Sequence, residues 1–211
     1  MINGLIIGKI SAIMMIMRFE TKFHQIKVWR NFVNKNEVGF MKQLFKIDLK
    51  DYDESYRRFR RPSVRGVIIA DNKVAMVYSH KYDYYKFPGG GIENDEDHIE
   101  TLKREVLEET GLTVLDYSIR ELGSVVRIQK SRFAENEIFE QENFYYLCDV
   151  EDSVKTQSLD EYELDEGFAL RFVSPKDAIL TNRTHDHGDY DLILIEREAR
   201  VLEYLIENDY L

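Results

Sequence analysis

Three consecutive glycines at positions 89–91 stand directly before a predicted helix, and this junction limits the possible folds of the chain. The spacing of apolar residues predicts the helix over residues 95–110. Asn94 or Asp95 is the expected N-cap, and Gly111 is expected to end the helix in a left-handed conformation. Because glycine permits sharp turns and a close backbone approach, we predict a strand, a glycine loop and a helix in that order.

The predicted helix carries a cluster of carboxylates. Glu105, Glu108 and Glu109 fall within one arc of about 100°, beside an apolar stripe that begins at Ile99. Like charges at these spacings repel one another, and carboxylates in a last turn oppose the helix dipole. A solvated acidic face is the simplest interpretation, but a local violation of helix rules is more often functional. Hard carboxylate oxygens suit Mg²⁺, with Mn²⁺ as a substitute, so we predict a metal–phosphate site.

The remaining pattern predicts an α/β fold in which helices pack on a mixed sheet. Aromatic and β-branched runs predict strands, and Pro175 is suited to the first turn of a short helix. Residues 190–207 have the spacing of a terminal amphipathic helix. The predicted strands cover residues 64–70, 74–78, parts of 114–132, 143–150 and 169–173.

The charge balance argues against nucleic acid as a partner. The chain has 39 acidic and 29 basic residues, which gives a net charge of −10. Cys148 is the single cysteine, so an intrachain disulfide is impossible, and this favours a reducing, cytoplasmic location. The apolar run at residues 5–17 is interrupted by Lys9 and is shorter than the roughly 20 residues of a membrane span, so we expect no membrane association.

Residues 1–40 differ from the rest of the chain and lack a coherent period. We expect them to be an N-terminal extension outside the functional domain, with residues 41–211 forming that domain and Met41 as its natural start. An amphipathic anchor or a dimerisation arm is the competing interpretation, so a homodimer remains open.

Residues 90–112 resemble the Nudix box at each of its defining positions, and residues 86–89 resemble the usual lead-in to that box. The resemblance is sharp over residues 86–112 and implies a Nudix-like α/β/α sandwich, with helices on both faces of the sheet. The matching positions are Gly90, Glu96 after five residues, Arg104, Glu105 and Val106 after seven more, then Glu108, Glu109, Gly111 and Leu112.

The resemblance also implies a chemistry, namely Mg²⁺-dependent hydrolysis of a pyrophosphate bond in a nucleoside diphosphate derivative. It implies that Glu105, Glu108 and Glu109 bind metal, together with the carbonyl of Gly89 in some members. It further implies that Arg104 orients a catalytic glutamate. Metal ions would neutralise the polyphosphate, which explains how an acidic protein handles an anion. The expected catalytic residues are Glu96, the partner of Arg104, with Arg104, Glu105 and Glu108.

Further site residues are expected outside the box. Members often use one more acidic residue, and Glu166 is our choice. Arg65, Lys86 and Arg127 are the expected contacts to substrate phosphates. The other acidic candidates are Glu140, Glu142, Glu161 and Glu163.

Two further segments have an ordinary and a functional interpretation. The basic and aromatic residues 56–61 are either an exposed strand edge or a contact to phosphates and a base. His185 and His187 have the side-chain type of metal ligands, but a solvated loop is the simpler interpretation.

The box leaves the substrate open. The proline typical of ADP-ribose-cleaving relatives is absent at residues 127–130, as is the tyrosine typical of dinucleoside polyphosphate hydrolases. The expected small-molecule substrate is a nucleoside triphosphate, with oxidised ones included, or a nucleotide sugar. The alternatives are an RNA 5′-end pyrophosphohydrolase and a non-catalytic nucleotide-sensing module. The complete set of box glutamates argues against a sensor.

Overall fold

The fold is described from a computed structural model, which covers residues 41–93 and 96–211. The expected extension at residues 1–40 and the two expected N-caps, Asn94 and Asp95, lie outside these described residues. Within them, no helix has the length and apolar character needed to span a bilayer.

The described strands form a mixed arrangement of sheets. β8 and β9 are the antiparallel centre of a five-stranded sheet, in which β1 runs parallel to β8 while β2 and β3 run parallel to β9. β5 pairs antiparallel with β4, β6 and β11, and β7 pairs antiparallel with β10. The bounds are β1 Gln43–Asp48, β2 Arg57–Arg60, β3 Ser63–Val67, β4 Ile69–Ala70, β5 Lys73–Ser79, β6 Tyr84–Lys86, β7 Leu112–Val114, β8 Arg120–Lys130, β9 Glu137–Leu147, β10 Val150–Val154 and β11 Phe168–Val173.

Four α-helices complete the described fold, and a short 3-10 turn spans Asp116–Ser118. Helix α1 begins later than predicted because its N-cap is Asp97, whose side chain accepts a hydrogen bond from the backbone N–H of Ile99. It ends at Gly111, with φ 75°, as predicted. The bounds are α1 His98–Thr110, α2 Glu161–Glu166, α3 Pro175–Thr184 and α4 Leu192–Glu207.

Helices pack on both faces of the sheets, so the predicted α/β/α sandwich is confirmed. Val64 of β3 packs with Leu102 and Val106 of α1. Three residues further along the strand, Val67 faces the opposite side and packs in the same cluster as Leu202 of α4. Gly66 lets α1 approach closely, because a Cβ atom there would lie 2.8 Å from Val106 Cγ2.

Two features of the helices were not evident from the sequence. The acidic stretch at residues 161–166 forms α2, because Asp160 and Glu163 form a capping box at its start. In α4, Leu192 is exposed, whereas Arg197 and Glu198 are buried beside the apolar residues. Arg197 is accommodated there because its guanidinium donates to Asn143 Oδ1 at 2.6 Å and pairs with Glu198.

Candidate active site

The glycine loop lies flat against β3. The backbone N–H of Val64 donates to the carbonyl of Gly90 at 2.9 Å, and that of Gly66 donates to the carbonyl of Pro88 at 2.8 Å. Gly89 has φ 140°, and a Cβ atom there would lie 2.1 Å from the backbone oxygen of Val64. Only glycine therefore fits at position 89, and the loop is held rigidly at the end of α1.

Glu109 connects the end of α1 to this loop. Its side chain is 1% exposed, Oε2 accepts a hydrogen bond from the backbone N–H of Gly89 at 2.8 Å, and Oε1 pairs with Lys86 Nζ at 2.5 Å. Burial raises the pKa of Glu109 to about 7, although Lys86 and Arg65 act in the opposite direction. Glu109 is therefore a buried carboxylate whose two oxygens contact Gly89 of the glycine loop and Lys86 just before that loop.

Glu105 lies against the same loop. A Cβ atom on Gly90 would lie 2.3 Å from Glu105 Oε1, so the glycine provides the space that the carboxylate occupies. Burial raises the pKa of Glu105, whereas Arg104 lowers it. One nitrogen, Nη1 of Arg104, donates to Glu105 Oε1 at 2.9 Å and to Glu108 Oε2 at 3.0 Å, which brings these two carboxylates together.

Arg104 is itself held by Glu96. Its Nε and Nη2 atoms donate to the two oxygens of Glu96, each at 2.9 Å. The hydrogen bonds from Arg104 hold the pKa of Glu96 at about 2, well below its ordinary value. Thr101 Oγ1 donates to the same carboxylate at 2.9 Å. The guanidinium therefore has a fixed position from which its third nitrogen reaches the carboxylates of Glu105 and Glu108.

Two cations from other elements meet this cluster, and sequence reasoning had not foreseen their contacts. Arg65 of β3 is buried and donates from Nη1 to the carbonyl of Gly89, while its Nε atom has no partner among the described residues. Lys86 ends β6, and its ammonium lies 4.6 Å from the ring centre of Phe168. These cations offset part of the like-charge repulsion that was inferred from the helix alone. A charged residue within the apolar run 64–70 is a sequence signal that could have indicated the buried contact of Arg65.

Glu166 lies in a separate hydrogen-bonded group. Its Oε2 atom accepts hydrogen bonds from Ser79 Oγ and Tyr84 OH, both at 3.1 Å, and burial raises its pKa. The hydroxyl oxygens of Tyr84 and Tyr190 lie 2.7 Å apart, and their rings stack at 4.5 Å. Among the other acidic candidates, Glu163 is used by the capping box of α2.

Over residues 41–93 and 96–211, no three His, Cys, Asp or Glu side chains converge as a ready set of metal ligands. The helix carboxylates contact Arg104 and Lys86 instead. The donor chemistry nevertheless fits a hard divalent cation, because the carboxylate oxygens of Glu105 and Glu109 lie against the glycine loop. A metal there would be held by Glu105, Glu108, Glu109 and the carbonyl of Gly89.

The other predicted contacts lie elsewhere. Arg127 donates to Asp191 at 3.2 Å and to Gln141 at 3.1 Å, and burial, with a contribution from Arg197, lowers its pKa to about 10. The basic residues 56–61 include β2, all four residues of which are exposed. Its arginines pair with acidic side chains, which agrees with an exposed strand edge. These pairs are Arg57 with Glu137, Arg58 with Glu54 and Glu140, and Arg60 with Glu140.

Fold and site together define an α/β/α protein with buried carboxylates at a glycine-loop and helix junction. Comparison with known proteins agrees with this class. The family model described as the NUDIX domain matches residues 59–193. The chain therefore belongs to the NUDIX domain family, and the resemblance found in the sequence is confirmed.

Individual relatives are more distant. An 8-oxo-dGTP diphosphatase of Buchnera aphidicola subsp. Schizaphis graminum is 38% identical over 58 residues, which cover 26% of this chain and 45% of that protein. The chain thus spans about half the length of this curated relative.

Solved structures that are similar to this chain include a NUDIX hydrolase from Nitrosomonas europaea, with a TM-score of 0.47 and 18% identity over 68% of this chain and 90% of that one. The mutator MutT protein from Bacillus halodurans has a TM-score of 0.46 and 21% identity over 64% of this chain and 80% of that one.

Proposed function

We propose that this protein is a Mg²⁺-dependent pyrophosphohydrolase that cleaves a phosphoanhydride bond in a nucleoside diphosphate derivative. The observation that carries the proposal is the burial of Glu109 and the partial burial of Glu105 against the glycine loop, with Glu108 joined to Glu105 through Arg104. Burying charged carboxylates this close together costs stability, so a functional reason is needed. Membership of the NUDIX domain family supports a catalytic role for these carboxylates.

Each residue has a role that follows from its surroundings. Bound Mg²⁺ would neutralise phosphate oxygens and lower the pKa of a bound water molecule. Glu105 is suited to accept the proton of the attacking water, because burial raises its pKa and Arg104 fixes one of its oxygens. Lys86 and Arg65 lie beside the carboxylates and would bind the substrate phosphates.

A nucleoside triphosphate, including an oxidised one, is the substrate class that we favour. The name of the Buchnera relative, an 8-oxo-dGTP diphosphatase, supports this class over nucleotide sugars. We also propose that the protein acts in the cytoplasm, consistent with its one cysteine, Cys148, being a buried free thiol.

A substrate screen with Mg²⁺ tests the proposal. 8-oxo-dGTP, dGTP, ADP-ribose, a nucleotide sugar and 5′-triphosphorylated RNA are compared by the release of pyrophosphate or phosphate. We expect turnover of a nucleoside triphosphate. Preferred turnover of the RNA would instead assign the protein to RNA 5′ ends, and nucleotide binding without turnover would indicate a sensor.

Matched variants on α1 connect turnover to the site. Glu108→Gln and Glu109→Gln should each lose roughly 100-fold or more in kcat, since removing a group that only hydrogen-bonds to a metal ligand already costs about 10- to 100-fold. Glu108 is partly exposed, so Glu108→Gln should stay fully folded. Glu109→Gln should also stay folded, because burial already raises the pKa of Glu109 and the amide removes a buried charge, which offsets the ion pair that Lys86 loses. Glu100→Gln changes an exposed glutamate on the same helix and should keep normal activity.

A further inference from the structure

His187 makes a pair of contacts that a neutral imidazole cannot satisfy. The side chain is buried, at 4% exposure, and Nδ1 lies 2.8 Å from the carbonyl oxygen of Tyr82. Nε2 lies 3.1 Å from the carbonyl oxygen of Asn182. Backbone carbonyls only accept hydrogen bonds, so both contacts are hydrogen bonds only when each ring nitrogen carries a proton.

The surroundings of the ring favour a cation. Asn182 lies in the last turn of α3, where the helix dipole is negative and its terminal carbonyls lack helical partners. The side-chain amide of Asn182 also bonds the backbone N–H and carbonyl of Tyr85, at 2.8 and 2.9 Å, so this carbonyl is anchored to β6. The ring therefore joins the turn before β6 to the end of α3.

The neighbouring charged groups have partners of their own. Asp83, on the turn before β6, is bonded by Tyr78 and by His185 Nδ1, the latter at 2.6 Å. Asp186, in the same loop as His187, accepts a hydrogen bond from the backbone N–H of Gly188 at 2.9 Å. At the end of α3, Arg183 pairs with Glu196 and Glu203 of α4. Tyr82 and Tyr190 are the phenols on the elements next to the ring.

The loop fastened by His187 reaches the candidate site. The backbone N–H of Tyr190 donates to the carbonyl of His187, and the Tyr190 ring stacks on both Tyr82 and Tyr84. The hydroxyl of Tyr84 bonds Glu166, the acidic candidate outside the box. Asp191, the next residue, caps α4 and pairs with Arg127.

We propose that His187, protonated on both ring nitrogens, is a positioning residue that holds residues 186–191 against the Tyr84 and Glu166 pair. Loss of one proton would point a nitrogen lone pair at a carbonyl oxygen, and the resulting repulsion would loosen the loop. The loop is therefore fastened while both ring nitrogens donate to their carbonyls and is released when either donated hydrogen bond is lost. The kinetic consequence of this release rests on the proposed function, whereas the protonation itself does not.

The protonation is tested on the wild-type protein with nitrogen-15-labelled histidine. Proton–nitrogen NMR at about pH 6.5 should show two protonated ring nitrogens for His187, because both carbonyl contacts persist in the folded state. The His187→Gln spectrum assigns the signals, and if that variant does not fold, assignment through the ring-to-backbone connectivity replaces it. A ring with one protonated nitrogen in the folded protein would overturn the proposal, whatever the enzyme hydrolyses.

The positioning role is tested by pH profiles of kcat and KM between about pH 6 and about pH 9. We expect the kcat/KM of the wild type to fall towards about pH 9. His187→Gln should lower kcat/KM by about tenfold at about pH 6, since misplaced groups cost up to about 100-fold, and its kcat/KM should then change less with pH than that of the wild type. His185→Gln alters an exposed histidine two residues away and should keep the wild-type profile. An unchanged profile in His187→Gln would refute the positioning role. Absence of hydrolysis in every protein would refute the proposed function instead, leaving the NMR result to decide the protonation.

Discussion

Arg104 shows how single residues organise the candidate site. Its three guanidinium nitrogens contact Glu96, Glu105 and Glu108, so one side chain fixes both its own anchor and two of the carboxylates. The spacing of these residues along α1 brings them near one another, but the bidentate contact with Glu96 depends on how the chain enters the helix. Removing that anchor should therefore lower the activity and also change how the free energy of unfolding depends on pH.

Glu96→Gln tests the anchor through the pH dependence of stability. The folded pKa of Glu96 is about 2, below the ordinary 4.5, because of the hydrogen bonds from Arg104. A lowered folded pKa means that the unfolded chain binds the proton first as pH falls, so this stabilisation is complete above about pH 5 and is lost towards about pH 2. The free energy of unfolding in urea should differ between wild type and variant at about pH 6, and the difference should shrink at about pH 3.

The same variant should lose activity at neutral pH without unfolding, because the guanidinium of Arg104 would lose its paired hydrogen bonds to the Glu96 carboxylate. Glu100→Gln, an exposed change on the same helix, should follow the wild-type curve throughout. A difference between Glu96→Gln and wild type that stays constant down to about pH 3 would contradict the role of this ion pair.

At the level of elements, the glycine loop and α1 act as one unit, and the three glycines have different tasks. At position 89 the backbone excludes any side chain, because φ is 140° and because a Cβ atom would lie too close to the backbone oxygen of Val64. At position 90 a Cβ atom would collide with the carboxylate of Glu105, which is the movable end of a side chain. At Gly91 a Cβ atom would meet the guanidinium of Arg61 at 3.1 Å.

These contacts predict a graded alanine series. Gly90→Ala should fold, because the Glu105 carboxylate can shift, but kcat should fall by about 100-fold as that group leaves its position. Gly89→Ala should lose stability, since backbone rather than a side chain must move. Gly91→Ala is the matched control and should keep its activity. Thermal melting and kcat measured on all three separate the effects, and a fully active Gly90→Ala would show that Glu105 has no critical placement.

For the whole molecule, metal binding should stabilise the fold. The proposed Mg²⁺ site exists only where folding brings Glu105, Glu108 and Glu109 together, so Mg²⁺ bound there would favour the folded chain over the unfolded chain. At a concentration of about 100 Kd the gain is about 2.7 kcal/mol, which corresponds to a rise in Tm of roughly 5–10 °C for a domain of this size. Melting curves with and without Mg²⁺ test this, and the double variant Glu108→Gln, Glu109→Gln should not respond. An unresponsive wild type would count against a preformed metal site.

The boundary at Met41 also concerns the whole molecule and stays a prediction. Residues 41–211 form one compact unit, and the NUDIX match at residues 59–193 lies inside it. A shortened chain that begins at Met41 should melt within a few degrees of the full chain and hydrolyse the same substrate with a similar kcat. Light scattering on both proteins measures their mass in solution. A shortened chain that fails to fold, or that loses a dimer together with its activity, would assign residues 1–40 a structural role.

The sequence by itself determined the local elements and the residue types of the site. The glycine loop, α1 and its end at Gly111, the first helical turn at Pro175 and the order of strands and helices follow from effects within a few residues. The N-cap was misplaced because Asp97 competes with two other capping residues nearby, and α2 was missed because its capping box is only one short turn long.

Only the tertiary structure decided which distant groups meet the carboxylates. Lys86 reaches Glu109 across 23 positions, and Arg65 reaches Gly89 across 24, because β6 and β3 converge on the loop. The burial of Arg197 and the two carbonyl contacts of His187 likewise join elements far apart in the chain. Periodicity reports which face of an element is apolar, but the partner of a buried charge depends on long-range packing, which local patterns do not encode.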